Sequence, residues 1–169
     1  MKVILYMAIT ANGIIAKDDD TADFLTKEES ASYVSMVIST GNLIIGRRTY
    51  EVLSMQPEFR EFLKAGIKII VVSHSDFSVK DTGHLVAHSP QKALAFVASD
   101  AVVVAGGAML NAAFLGENLV DEVYLDVEPA FLGKGMPLFS GKDFERRLEL
   151  LGIKNISKNE IQLHYKVVH

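Results

Sequence analysis

Cysteine is absent from the 169 residues. That excludes disulfides, thiolate metal ligands and a cysteine nucleophile, and it leaves nothing that points to an oxidising compartment. Long apolar runs are missing too: none approaches the roughly 20 residues that cross a bilayer. The opening stretch Met1 to Ile9 is short and passes into Thr10-Ala11-Asn12-Gly13 without a cleavage signature, so it reads as a first strand. There is no surplus of positive charge. With a net charge of −4, no broad attraction to nucleic acid or to a membrane surface is expected, and any phosphate binding must be local. Proline-rich linkers, low-complexity tracts and internal repeats are lacking, which predicts one domain over residues 1–169, placed in the cytoplasm.

Several familiar signatures are also missing. Neither a Gly-x-Gly-x-x-Gly fingerprint nor a Gly-x-x-x-x-Gly-Lys-Ser/Thr loop occurs, so a standard Rossmann domain and a P-loop kinase are unsupported. No Gly-x-Ser-x-Gly elbow marks a serine hydrolase. His84 and His88 are four apart, but Leu85-Val86-Ala87 between them reads as strand, which separates them; no metal is expected.

What is present is an alternation of short β-branched runs with helical patterns. Val3 to Ile9, Asn42 to Ile45, Ile67 to Val72, Ala101 to Ala105 and Val120 to Val127 read as buried strands. Thr26-Lys27-Glu28-Glu29 has the form of a capping box and opens a helix over about residues 27–39. Ser89-Pro90 opens a second, ending near Ser99-Asp100, and a third starts after Gly107. Leu148 to Ile156, the turn Ser157-Lys158-Asn159 and Glu160 to Val167 predict an antiparallel hairpin. The expected fold is therefore α/β, a three-layer α-β-α arrangement around a mostly parallel mixed sheet with a C-terminal antiparallel hairpin. The stretch Lys17-Asp18-Asp19-Asp20-Thr21 reads as a solvated loop.

Two strand-to-helix turns carry the chemistry. In Val102-Val103-Val104-Ala105-Gly106-Gly107-Ala108-Met109-Leu110 a buried strand runs through two glycines into a helix. Without Cβ atoms, a pyrophosphate can approach backbone N–H groups at the positive end of the helix dipole. The turn Gly46-Arg47-Arg48-Thr49 repeats the arrangement and adds two guanidinium groups, whose forked donors suit a pyrophosphate and the extra 2′-phosphate of NADPH. A third strand ends in Ser73-His74, where ligands of open α/β sheets usually bind.

These residues resemble a known family. The chain is similar to the dihydrofolate reductase-like fold, and more closely to the C-terminal reductase domain of bacterial riboflavin biosynthesis proteins (the RibD C-terminal domain). The likeness rests on Ala8 to Ala16, Phe24-Leu25-Thr26, Gly46 to Glu51 and Gly106 to Leu110. It continues through Phe114-Leu115, Leu119 to Val123, Pro129 and Leu132 to Phe139. It implies an NADPH-dependent oxidoreductase that passes hydride to a small heterocyclic or carbonyl/imine substrate, related to reduction of 5-amino-6-(5-phosphoribosylamino)uracil. It implies the cofactor phosphates on Gly46, Arg47, Arg48, Thr49, Gly106, Gly107, Ala108, Met109 and Leu110. Ser73 and His74 lie near the adenosine end, and Ala8 and Ile9 beside the nicotinamide. The family's first-strand lysine and pre-glycine glutamate fall on Tyr6 and Ala105, its Asp-Gly-Lys is Asn12-Gly13-Ile14, and the acid of dihydrofolate reductases falls on Ser30. The cofactor half is kept and the substrate half has changed.

Candidate proton donors are Glu28, Thr10 and Tyr6, with Glu29 assigned to the capping box and Asp20 and Asp23 to solvent. Phe24, Tyr33 and Tyr50 are candidates for the wall on which a planar substrate stacks. The alternatives are an atypical dihydrofolate reductase and a catalytically silent nucleotide-binding or interaction module. The edge hairpin and Val167-Val168 suit a homodimer.

Overall fold

The computed structural model describes residues 1–79 and 83–169. The central sheet has the order β5-β4-β3-β6-β1-β7-β10-β9. It is built from β1 (Lys2–Thr10), β3 (Asn42–Gly46), β4 (Lys68–Val72), β5 (Leu85–Ala87), β6 (Ala101–Val104), β7 (Glu122–Glu128), β9 (Arg147–Asn155) and β10 (Ile161–Val168). The strands from β5 across to β7 run parallel, and the β9–β10 hairpin joins β7 antiparallel. This is the expected mostly parallel sheet with a terminal hairpin.

Side-chain alternation divides the core into two layers. Val3, Leu5, Ile44, Ile70, Val102 and Val104 point to one face, where α4 (Pro90–Ala95) and α5 (Ala108–Gly116) pack. Tyr6, Leu43, Ile45, Ile69, Val71 and Val103 point to the other, against α1 (Lys27–Thr40), α2 (Arg47–Leu53) and α3 (Pro57–Lys64). Because both faces of β3, β4 and β6 are covered, they are apolar past the polar residues Asn42 and Lys68 that open β3 and β4, as buried parallel strands are.

Several boundaries differ from the sequence reading. The helix opened by Ser89-Pro90 stops at Ala95, because Phe96 and Val97 donate to the carbonyls of Ala93 and Leu94 in tight turns. Strand β7 begins at Glu122, since Asp121 is drawn aside: its carboxylate accepts from the Val3 N–H at 2.7 Å. Helix α3 was not expected, nor was the small sheet of β2 (Ile14–Ala16) and β8 (Met136–Pro137), which is too short for periodicity to show. That pairing depends on a close approach at Gly135, φ +152, where a Cβ would stand 2.5 Å from the Ala16 carbonyl oxygen. The Lys17 to Thr21 stretch is ion-paired rather than simply solvated: Lys134 meets Asp18 at 2.6 Å and Arg48 meets Asp20 at 2.5 Å.

Candidate active site

The two glycine turns lie side by side at the carboxyl ends of β3 and β6. Gly46 donates its N–H to the Gly106 carbonyl at 2.8 Å, so the turns are joined by a backbone hydrogen bond. The Gly106–Gly107 peptide is cis, and Gly106 has φ +89. A Cβ on Gly106 would lie 3.3 Å from the Met7 sulfur, and one on Gly107 would lie 3.4 Å from Thr49 Oγ1. Strand β1, α2 and the start of α5 thus converge on one small patch. Gly107 is the N-cap of α5 and brings no side-chain acceptor, which leaves the first-turn donors of that helix to a ligand.

The remaining cofactor candidates sit around this patch. Ala8 and Ile9 are half-buried near the end of β1, Ala108 and Leu110 are buried, and Met109 is exposed. The two arginines part company. Arg47 reaches toward the end of β4, with Nη1 donating to Ser75 Oγ at 3.1 Å, whereas Arg48 is held by Asp20. Ser73 is buried and donates to the Ser75 carbonyl at 2.9 Å, and His74 is exposed beside it. His84 bonds the Tyr50 hydroxyl at 3.0 Å and His88 the Ser73 carbonyl at 2.8 Å, so the two histidines serve different partners.

Beyond Ala8 the sheet carries acids. Tyr6, Ala8 and Thr10 pair in register with Tyr124, Asp126 and Glu128. On β10, Gln162 pairs with Asp126, and the antiparallel register continued one residue past Ile161 and Val127 sets Glu160, just before β10, opposite Glu128. Helix α1 covers this face and adds Glu29. Glu29, Asp126, Glu128 and Glu160 are 4%, 1%, 1% and 3% exposed. Asp126 accepts from the Tyr6 hydroxyl in a short hydrogen bond and from Gln162 Nε2 at 2.8 Å, and Ser32 Oγ on α1 lies 2.8 Å from the Tyr6 oxygen.

Burial dominates the titration of Glu29, Asp126 and Tyr6. It pushes Glu29 up to about 8, with Asp126, Glu128, Glu58 and Glu160 adding repulsion. Burial also raises Asp126 in spite of the bonds from Tyr6 and Gln162, which oppose it. The Tyr6 hydroxyl is pushed upward by burial and by Asp126, so it stays protonated and acts as a donor. Near neutral pH the face therefore holds a protonated carboxyl on Glu29, within the span bordered by Ala8.

The proton-donor candidates separate clearly. Glu28 is exposed on the outer side of α1. Thr10 is fully buried, and its Oγ1 donates to Asn12 Oδ1 at 2.7 Å and accepts from the Ile14 N–H at 3.0 Å, a turn-building role. Tyr6 joins the acid face. Glu29, set aside as the partner in a capping box, forms only half of that box. The Thr26 hydroxyl accepts from the Glu29 N–H at 3.1 Å, but the Glu29 carboxyl turns inward. Ser30 donates to Glu58 at 2.7 Å, toward α3.

The aromatic candidates separate as well. Tyr33 lies 5.7 Å from the Tyr6 ring and meets Phe62 edge-on, so it borders the acid face. Phe24 is half-buried in the segment before α1. Tyr50, on α2, is buried edge-on against Phe59 of α3, Phe77 and His84, which makes it a core residue.

Comparison with known proteins agrees with this architecture. The family model of the RibD C-terminal domain matches residues 1–162. The uncharacterized protein YwjB of Bacillus subtilis is 33% identical over 174 residues, covering 97% of both chains. A putative riboflavin biosynthesis protein from Shewanella superposes with a TM-score of 0.80 at 19% identity, over the full length of both chains. A diaminohydroxyphosphoribosylaminopyrimidine deaminase/5-amino-6-(5-phosphoribosylamino)uracil reductase from Thermotoga maritima superposes at 0.72 with 17% identity, over 99% of this chain and 56% of that one. Likenesses at these identities establish the fold, a three-layer α/β arrangement.

Proposed function

Since the chain belongs to the RibD C-terminal domain family, we propose that it is an NADPH-dependent reductase that passes hydride to a small heterocyclic or carbonyl/imine substrate. The observation that carries this reading is the Gly46-to-Gly106 hydrogen bond of 2.8 Å. It joins two glycine turns and a helix N-terminus, whose backbone donors and lack of Cβ atoms at Gly46, Gly106 and Gly107 suit a pyrophosphate. The residues fit the cofactor: Gly46, Thr49, Gly107 and the first turn of α5 for the diphosphate, Ser73 and His74 for the adenosine end, Ala8 and Ile9 for the nicotinamide. When bound, NADPH supplies the hydride; the protein supplies orientation and a proton. Glu29 is the donor we favour, in place of Glu28 and Thr10, because its buried carboxyl retains its proton near pH 7. Tyr6 holds Asp126 beside it, and Tyr33 and Phe24 border the substrate.

Arg47 is the side chain we assign to the 2′-phosphate, since it reaches the end of β4 beside Ser73 and His74 and its ion pair with Glu51 is a loose 3.8 Å, whereas Arg48 pairs closely with Asp20. Titration followed by nicotinamide fluorescence should show tighter binding of NADPH than of NADH. Arg47→Ala should weaken NADPH by about tenfold or more and leave NADH unchanged, as loss of a charge-assisted hydrogen bond predicts. Equal affinity of the wild type for both cofactors would remove the NADPH assignment, and binding of neither would remove the reductase reading.

A second copy of the chain is the proposed partner. The hairpin edge exposes an apolar stripe on one face, with Leu150 at 51% and Ile153 at 62% exposure, flanked by Leu148 and Ile161. Such a stripe on an edge strand invites pairing with a like surface. Sedimentation should report a dimer, and Ile153→Lys should give a monomer; a monomeric wild type at micromolar concentration would dismiss the idea.

A further inference from the structure

Glu128 closes β7 and Glu160 immediately precedes β10, and the register, continued one residue past Ile161 and Val127, sets them opposite each other with almost no exposure. Three of their four carboxylate oxygens, both of Glu128 and Oε2 of Glu160, lie buried without a donor among the described residues. Two buried carboxylates facing one another without donors repel strongly and are each poorly solvated, a state that a chain does not keep. A single proton held between them removes one charge and supplies the missing donor. The same spot joins three pieces of chain. Glu160 belongs to the hairpin tip, where the Ile156 N–H donates to its carbonyl at 3.0 Å. Glu128 ends β7 next to the start of α1, where the backbone N–H of Thr26, the N-cap, favours the charged carboxylate without closing a hydrogen bond to it.

We propose that Glu128 and Glu160 share one proton and form a pH-sensitive clasp that fastens the hairpin tip and the start of α1 to the end of β7. The charged groups acting on the pair are Asp126 on β7 and Glu29 on α1, both acids; behind them Glu58 on α3 acts on Glu29, and Tyr6 on β1 and Lys154 on β9 act on Asp126. Burial first, then Glu160, lifts Glu128 to about 7, so the clasp is closed in mildly acidic solution and strained above neutrality. Its opening loosens the border of the acid face without involving the glycine turns. This device is therefore independent of whether a nicotinamide cofactor binds.

Hydrogen exchange on the intact Glu29→Gln variant, which removes the other proton-holding carboxyl of this face, tests it, comparing about pH 6 with about pH 9 after correction for intrinsic rates. Protection of the amides in 24–29 and 156–162 should fall by about tenfold or more at the higher pH, while the β3 and β6 amides stay protected. Adding Glu160→Gln replaces the shared proton by a permanent amide donor, so protection in both segments should become insensitive to pH. Infrared spectra of Glu29→Gln near neutral pH should show a protonated-carboxyl band that the added Glu160→Gln removes. Protection that does not change with pH in Glu29→Gln overturns the proposal. So does the absence of that infrared band in Glu29→Gln, which can be read even if the double variant fails to fold.

Discussion

Gly107→Asp should abolish nicotinamide-cofactor binding while leaving the protein folded and no less stable. The backbone at Gly107 has φ −82, which any residue adopts. A Cβ there meets Thr49 Oγ1 at 3.4 Å and the Met136 sulfur at 4.0 Å, distances the fold accommodates with little movement. Gly107 is the N-cap of α5, a position where aspartate is favoured over glycine by a few tenths of a kcal/mol, so thermal stability should hold or rise slightly. Binding is another matter. The new carboxylate occupies the space reserved for phosphate and takes the helix N–H donors for itself. Like charges about 4 Å apart interact by roughly 4 kcal/mol at the effective dielectric of a protein surface, so even half of that weakens binding by about thirtyfold. Fluorescence titration with NADPH, run beside a thermal melt, measures both. An affinity within about threefold of the wild type would mean that the phosphates bind elsewhere.

The glycine turns were legible because strand and turn chemistry leave a strong local mark. Leu43 to Ile45 and Val102 to Val104 are apolar on both faces, and a strand of that kind ending in glycine before a helix has few other readings. The acid face was not legible, for two physical reasons. Glu122-Val123-Tyr124-Leu125-Asp126-Val127-Glu128 alternates like a strand with one wet side, and only the packing of α1 shows that side to be covered. Glu29 was hidden by Thr26, whose hydroxyl does cap the Glu29 N–H but leaves the carboxyl free to turn inward. One sign was present. Glu29, Tyr33 and Val37 recur every four residues, so the acid heads the stripe by which α1 is buried. A carboxylate at the end of an apolar stripe, aimed at a sheet, carries more information than a capping pattern.

That position makes Glu29→Gln the sharpest test of how stability and chemistry oppose each other here. The folded-state value of Glu29 is about 8, against an ordinary 4.5. Between those values the native protein binds more protons than the unfolded chain, so stability falls as pH rises across that window and levels off above about 8. A shift of that size corresponds to about 3–5 kcal/mol at its limit. Glutamine keeps the shape of the protonated carboxyl and never ionises, so it removes this dependence. Denaturant unfolding should therefore find the variant close to the wild type near pH 4.5 and more stable by several kcal/mol near pH 9, at unchanged m-value. Turnover should move the opposite way. An amide holds no transferable proton, so loss of a general acid should lower kcat by about a hundredfold or more, with NADPH affinity unaltered. Stability gained at alkaline pH together with activity lost is the signature of a carboxyl kept buried for its proton. A variant that is destabilised at every pH would instead show Glu29 to be a packing residue, and the proton would have to come from solvent.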